Sequence, residues 1–239
     1  MQLAPGLHRI GNDIVAAYAI VTDDGVTLVD AGLPGMWADL RAELASFGRS
    51  LSDIRGVILT HGDSDHIGFA ERLRRDHGVA VYVHEADAGR ARGEKPPATP
   101  WPRMRLLPTL GFLGYSLRKG GARTHHLTEV VEIAGQTVLD LPGAPRIIPL
   151  PGHSPGSIAV HAPTVGALFV GDALTTRHVT TGRVGPQPAP FTDDPAGALD
   201  ALARLEGVDA TWVLPGHGAP WSGGLADLVR RVRADAAAS

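Results

Sequence analysis

The chain has 239 residues, a formal charge of −3, 44% hydrophobic and 20% charged residues, and no cysteine. That composition excludes global disorder, disulfide bonds and thiolate metal sites, and it offers no general attraction to nucleic acid or anionic lipid. The length suits a single domain over 1–239, and the start, Met1 to Gly6, carries neither a positive leader nor a long apolar stretch, so the expectation is a cytoplasmic protein with no membrane or nucleic-acid partner.

In chain order, short apolar runs alternate with polar turns at 7–10, 14–21 and 27–30, with Asp23-Asp24-Gly25 as a hairpin turn. Trp37, Leu40, Leu44 and Phe47 recur at helical spacing, and Gly48 supplies a stop. A buried strand at 57–59, a helix at 69–76 and a strand at 80–83 follow. The segment 93–125 breaks the pattern. Lys95-Pro96-Pro97-Ala98-Thr99-Pro100-Trp101-Pro102 is too rich in proline for a helix interior or central strand, and the apolar stretch from Leu106 to Tyr115 is too short and too punctuated to cross a membrane. It reads as a lid insertion over the mouth of a site, with a homodimer contact or a surface segment as the alternative. Past His126 the pattern predicts strands at 130–133, 137–141, 146–149, 158–161 and 167–170, a helix at 196–205, a strand at 211–214 and a helix at 225–236. Strands interleaved with helices give the α/β class.

The strand at 57–59 runs into His61-Gly62-Asp63-Ser64-Asp65-His66, four metal-donor side chains within six residues on the loop leaving a strand. Three later residues repeat the setting of a donor beside glycine after an apolar run: His153 in Pro-Gly-His-Ser-Pro-Gly, Asp172 in Phe-Val-Gly-Asp-Ala and His217 in Leu-Pro-Gly-His-Gly. Taken singly, each is more often a turn or capping residue, and Asp63 or Asp65 could cap the next helix. Together, and in this order, they resemble the metallo-β-lactamase superfamily, whose signature is H-x-H-x-D-H followed by a distant His, an Asp and a final His. Val29-Asp30-Ala31-Gly32 matches that family's early Asp-x-Gly turn, so the resemblance covers nearly the whole chain.

The resemblance implies a four-layer αββα sandwich and two divalent metal ions, zinc first, with iron or manganese as alternatives. Carried over by position, His61, Asp63 and His153 form one site and Asp65, His66 and His217 the other, with Asp172 bridging. Asp63 stands where the family usually has a second His, adding charge and a harder oxygen donor, which favours iron or manganese more than an imidazole would. A second reading leaves Asp63 short of the metal, so that only the other site fills. Asp30 is expected to fix a ligating imidazole. Arg177, His178, Tyr115, Phe112 and Trp101 are candidate substrate contacts, His84 a packed or supporting histidine, and His8, His77, His125, His126 and His161 have no motif context.

The implied function is a metal-dependent hydrolase using a metal-activated hydroxide on a small ester, thioester or lactone, with Asp65 both ligating and moving a proton. The lack of Cys at position 172, which several true β-lactamases of the family use, disfavours antibiotic hydrolysis. Glyoxalase II-like members carry a helical extension after the last His, and lactonases normally keep the His that Asp63 replaces. The alternatives are a di-iron or mono-iron redox enzyme of the same superfamily, whose flavo-diiron members carry a carboxylate at the position of Asp63, and a non-catalytic metal-binding scaffold.

Overall fold

The computed structural model describes residues 1–94 and 102–238. A seven-stranded sheet runs in chain order through β1 (Gln2–Ala4), β2 (Leu7–Gly11), β3 (Ala16–Thr22), β4 (Gly25–Val29), β5 (Ile54–Ile58), β6 (Ala80–His84) and β7 (Val131–Ile133). The first four strands pair antiparallel through short turns, whereas β4 to β7 run parallel. Parallel neighbours need crossovers, and helices supply them: α1 (Trp37–Ser46), α2 (Ala70–His77), α3 (Glu85–Ala91) and α4 (Leu106–Arg118).

The second sheet contains β8 (Thr137–Val138), β9 (Arg146–Pro149), β10 (Ile158–Ala162) and β11 (Ala167–Gly171). A separate ribbon, β12 (Thr175–Arg177) with β13 (Val184–Gln187), and helix α5 (Pro195–Ala201) precede β14 (Trp212–Pro215), which joins the far side of β11 in parallel. Helix α6 (Leu225–Ala237) follows.

Strand alternation sorts these residues into layers. On β3, Tyr18 and Ile20 point to one side and Ala17 and Ala19 to the other; on β11, Phe169 opposes Leu168 and Val170 in the same way. One cluster, with Leu7, Tyr18, Ile20, Ile58, Val160, Phe169 and Leu214, fills the space between the two sheets. A second joins Leu28, Val57 and Val81 to Leu40 and Leu44 of α1 and Leu73 of α2, and a third joins Leu168 and Val213 to Leu228 and Val232 of α6. Three apolar interfaces between two sheets and two helical coats make the four-layer αββα sandwich.

The elements depart from the sequence expectations at particular places. Strand β5 begins three residues before position 57, at Ile54, because Ile54 pairs with Val26 of β4 although the intervening Arg55 is exposed. Helix α3 has no counterpart in the sequence pattern; it starts where His84 accepts a hydrogen bond from Ala86 N, so His84 is a helix cap. Neither Asp63 nor Asp65 caps α2, whose capping position is Phe69, without a side-chain hydrogen bond. Within 93–125, the segment expected to be a lid, 106–118 is helical, with Pro108 in the first turn where its missing N–H costs no bond. The proline-rich run from Lys95 to Trp101, and with it Trp101 as a substrate contact, lies outside the described residues.

Candidate metal centre

Each donor loop leaves the carboxyl end of a strand. The loop after β5 carries His61 to His66, the loop after β9 carries His153, β11 ends at Gly171 and presents Asp172, and β14 ends at Pro215 just before His217. Two glycines allow the approach. A Cβ at Gly216 would lie 2.4 Å from His66 Cε1 and 2.6 Å from Asp172 Oδ1, and one at Gly171, whose φ is +50°, would lie 2.3 Å from Thr60 Oγ1.

All seven sequence candidates come together. His61, Asp63 and His153 place one donor atom each within 4.8 Å of one another, and so do Asp65, His66 and His217. Asp172 groups with His61 and His66, one from each triple, while its Oδ2 lies 3.1 Å from His217 Nε2 and 3.8 Å from His153 Nε2. The imidazoles are buried; Asp63 and Asp65 retain 26% and 20% side-chain exposure, so the cluster opens on their side.

Every imidazole is oriented from behind. His66 Nδ1 donates to Asp30 Oδ2 at 2.9 Å, and His217 Nδ1 donates to the carbonyl of Ile14. The Thr60 hydroxyl gives its one proton to Asp30, so its oxygen accepts from His61 Nδ1 at 3.0 Å. Thr192 Oγ1 gives its proton to Ala189 O and likewise accepts from His153 Nδ1 at 3.2 Å. All four rings therefore aim Nε2 inward, and His61 Nε2, His66 Nε2 and Asp172 Oδ1 are buried with no hydrogen-bond partner among the described residues. Buried nitrogens and a carboxylate oxygen left without a hydrogen-bond partner are costly unless protons or a metal cation are taken up between them, and this His and Asp donor set fits a divalent metal pair.

Asp30 has the supporting place expected of it, at a φ of +61° that a short polar side chain tolerates. Several supporting residues lie outside the sequence expectations. Asp63 Oδ1 is 2.7 Å from Arg90 Nε, and the same guanidinium reaches Asp193 at 3.0 Å, while Asp63 Oδ2 faces His153 Nε2 at 3.3 Å. The fully buried Asp87 accepts from Gly62 N, Ser154 Oγ and Gly156 N at 2.6–2.8 Å, tying the His61 loop to the His153 loop. Thr60 adjoins the motif and could have been suspected; nothing near Asp87 or Arg90 in the chain announces these partners.

Of the candidate substrate contacts, Phe112 sits edge-on to His217 with ring centroids 6.4 Å apart. Tyr115 instead lines a cavity of about 420 Å³ with Arg9, Asn12, Arg118 and Lys119. The His178 Nδ1 lies 3.1 Å from Thr180 Oγ1, and Arg177 closes the β12 edge of the ribbon.

Burial lowers the affinity of His66 and His217 for a proton, but carboxylates outweigh it. Asp30, Asp172 and Asp65 raise His66 to about 10, and Asp172 and Asp65 raise His217 to about 9. Burial and the neighbouring His66 hold His61 well below the usual histidine range, whereas Asp172, despite its burial, is held well below the carboxylate range by His217, His66 and His153. Groups raised above their unfolded value of 6.5 stabilise the fold below that pH, and the contribution fades as pH climbs through the raised values. Chelator-treated protein is expected to melt at progressively lower temperature between about pH 7 and 10. A melting temperature that is flat or rising over that range would contradict the pairing.

Residues 10–217 match the family described as the metallo-beta-lactamase superfamily. The Bacillus subtilis (strain 168) protein named "Probable metallo-hydrolase YflN" is 28% identical over 93% of this chain and 87% of its own length. A hydroxyacylglutathione hydrolase of Anaeromyxobacter dehalogenans is 28% identical over 88% of this chain and 63% of its own. A metallo-beta-lactamase family protein of Thermus thermophilus superposes with a TM-score of 0.72 at 23% identity, covering 99% of this chain and 81% of that one.

Proposed function

We propose, from the premise that this chain belongs to the metallo-β-lactamase superfamily, that it is a hydrolase holding two divalent cations and cleaving a small ester, thioester or lactone. What carries the reading is the convergence of four inward Nε2 atoms, each backed by an engaged Nδ1, on three carboxylates in one buried space. His61, Asp63 and His153 would hold one cation, Asp65, His66 and His217 the second, with Asp172 shared. A cation pair there would bring a shared water to ionise near neutral pH and draw off charge developing on a carbonyl oxygen.

The chain's own residues do the rest. Asp65, on the open side with its Oδ2 3.4 Å from His217, would hold a proton and pass it to the leaving group. Asp30, Thr60, Thr192 and the Ile14 carbonyl keep the imidazoles in one tautomer. Phe112 of α4 covers His217, which supports reading 93–125 as a lid of the same domain that limits water at the mouth.

Zinc is the metal this donor set supports best. The Asp63 carboxylate is the one observation favouring iron or manganese and a redox reaction; Arg90, 2.7 Å from Asp63 and 3.0 Å from Asp193, offsets part of its charge and so moves the first triple toward the balance of three imidazoles. The names of the relatives support hydrolysis as well.

The test is metal analysis of protein purified without chelator, coupled to turnover of lactones, thioesters and phosphodiesters. Between about one and two equivalents of zinc are expected, with carbonyl hydrolysis lost on chelation and restored by metal. Bound iron with visible absorption and no hydrolysis would favour the redox reading; a folded, metal-free protein that takes up none would leave only a scaffold.

A further inference from the structure

Helix α4 uses only one of its faces. On that face Phe112 stands against His217, Tyr115 is buried, and Thr109 Oγ1 donates to Thr180 O. On the other, Leu106, Leu107, Leu110, Leu113 and Leu117 are between 48 and 80% exposed, and Met104 just before them is 47% exposed. Leu106, Leu110, Leu113 and Leu117 follow i, i+4, i+7 and i+11, which lines them along one side of the helix over roughly 16 Å. Gly111 and Gly114 leave the space between them open, with nothing within 4 Å of an added Cβ. A contiguous leucine ridge of this length is uncommon on a surface that meets only water.

The surrounding charge selects the partner. Residues 102–128 contain Arg103, Arg105, Arg118, Lys119 and Arg123 and no Asp or Glu, in a chain whose net charge is −3. Arg103 and Arg105 precede the ridge, and Arg118, Lys119 and Arg123 follow it. Lys119 is paired with Asp39 at 2.6 Å, so the sign of the two ends rests on Arg105 before the ridge and on Arg118 and Arg123 after it. Two copies meeting ridge to ridge would put basic end against basic end in either orientation, with no acid in the segment to offset the repulsion. A bilayer with anionic headgroups satisfies both halves of the pattern, since acyl chains take up the leucines and phosphates attract the flanking arginines. No helix among the described residues is long and apolar enough to cross a membrane, so the contact is one that lies on the surface.

We infer that α4 is a docking surface for an anionic lipid bilayer, lying in the interface with Leu106, Leu110, Leu113 and Leu117 immersed and the arginines at either end among the phosphates. The whole-chain charge, which offers anionic lipid no general attraction, averages over this local asymmetry. The inference stands on the outer face of α4 and is independent of the reaction beneath it.

Flotation of the full-length protein with vesicles tests it. Wild-type protein is expected to float with vesicles of equal phosphatidylglycerol and phosphatidylcholine at low salt, and at least about tenfold less with pure phosphatidylcholine or at high salt. Leu110→Glu with Leu113→Glu should reduce flotation on the anionic vesicles by at least about tenfold, because each glutamate enters the acyl region in place of an alkyl group. Both leucines are about half exposed, so the far-ultraviolet spectrum and melting temperature should be retained; Leu110→Ser with Leu113→Ser repeats the test without added charge. The inference is overturned if the wild type does not float, if either folded double variant floats as well as the wild type, or if sedimentation shows a dimer that the double variant abolishes. The last outcome would make a second copy the occupant.

Discussion

Asp172→Ala is expected to leave a folded protein that has lost both its metal pair and its turnover. Asp172 is 6% exposed, and its two oxygens lie 3.1–3.8 Å from the Nε2 atoms of His66, His153 and His217, so it is the one carboxylate that faces both triples. Without it, two cations would face each other with one fewer negative charge between them. Residues that merely orient a ligand cost about 10–100-fold in affinity or activity when removed, and a shared donor should exceed the upper end of that range. Asp172→Asn keeps the volume but not the charge and should behave like the alanine variant; metal analysis and kcat/KM measure both. Two retained equivalents of metal in either variant would disprove the shared position.

Asp87→Ala is expected to produce a large loss of stability although Asp87 lies outside the donor set. Three donors, Gly62 N, Ser154 Oγ and Gly156 N, lose their acceptor in a place where Asp87 has no exposure to water. Ser154 Oγ can turn to Ser157 Oγ at 2.8 Å, whereas Gly62 N and Gly156 N are orphaned at about 1–3 kcal/mol each, so a total of at least about 2 kcal/mol is expected in the metal-free protein by denaturant titration. The loss should also be directional. Asp87 joins the loop of His61 and Asp63 to the loop of His153, whereas its bonds do not reach the loop of His217, so metal should be lost first from the triple containing Asp63. A shift below about 1 kcal/mol with full metal content would mean that water substitutes for the carboxylate, and the clamp would have no role.

The Asp63 position shows how far a local pattern can be read. Its carboxylate was legible as a donor and as a departure from the usual histidine, and that alone pointed toward harder metals. The partner that offsets its charge, Arg90, lies 27 residues away on α3, a short helix with a glycine at its centre that periodicity does not reveal. The charge that the motif alone assigns to this position is therefore partly offset once the guanidinium is in place. Tyr115 and His84 show places that position in the chain does not reveal: the first, a candidate substrate contact, lines a neighbouring cavity, and the second, expected to be a packed or supporting histidine, caps a helix.

By itself the sequence determined the alternation of strands and helices, the donor types and their order, because side-chain period and glycine-flanked strand ends are properties of neighbouring residues. The tertiary structure alone decided that Asp87 and Arg90 bind the loops together and that α4 turns a leucine ridge outward. Those facts depend on contacts between segments tens of residues apart, formed only when four layers close on one another. Many pairings satisfy the same local pattern, and packing selects among them.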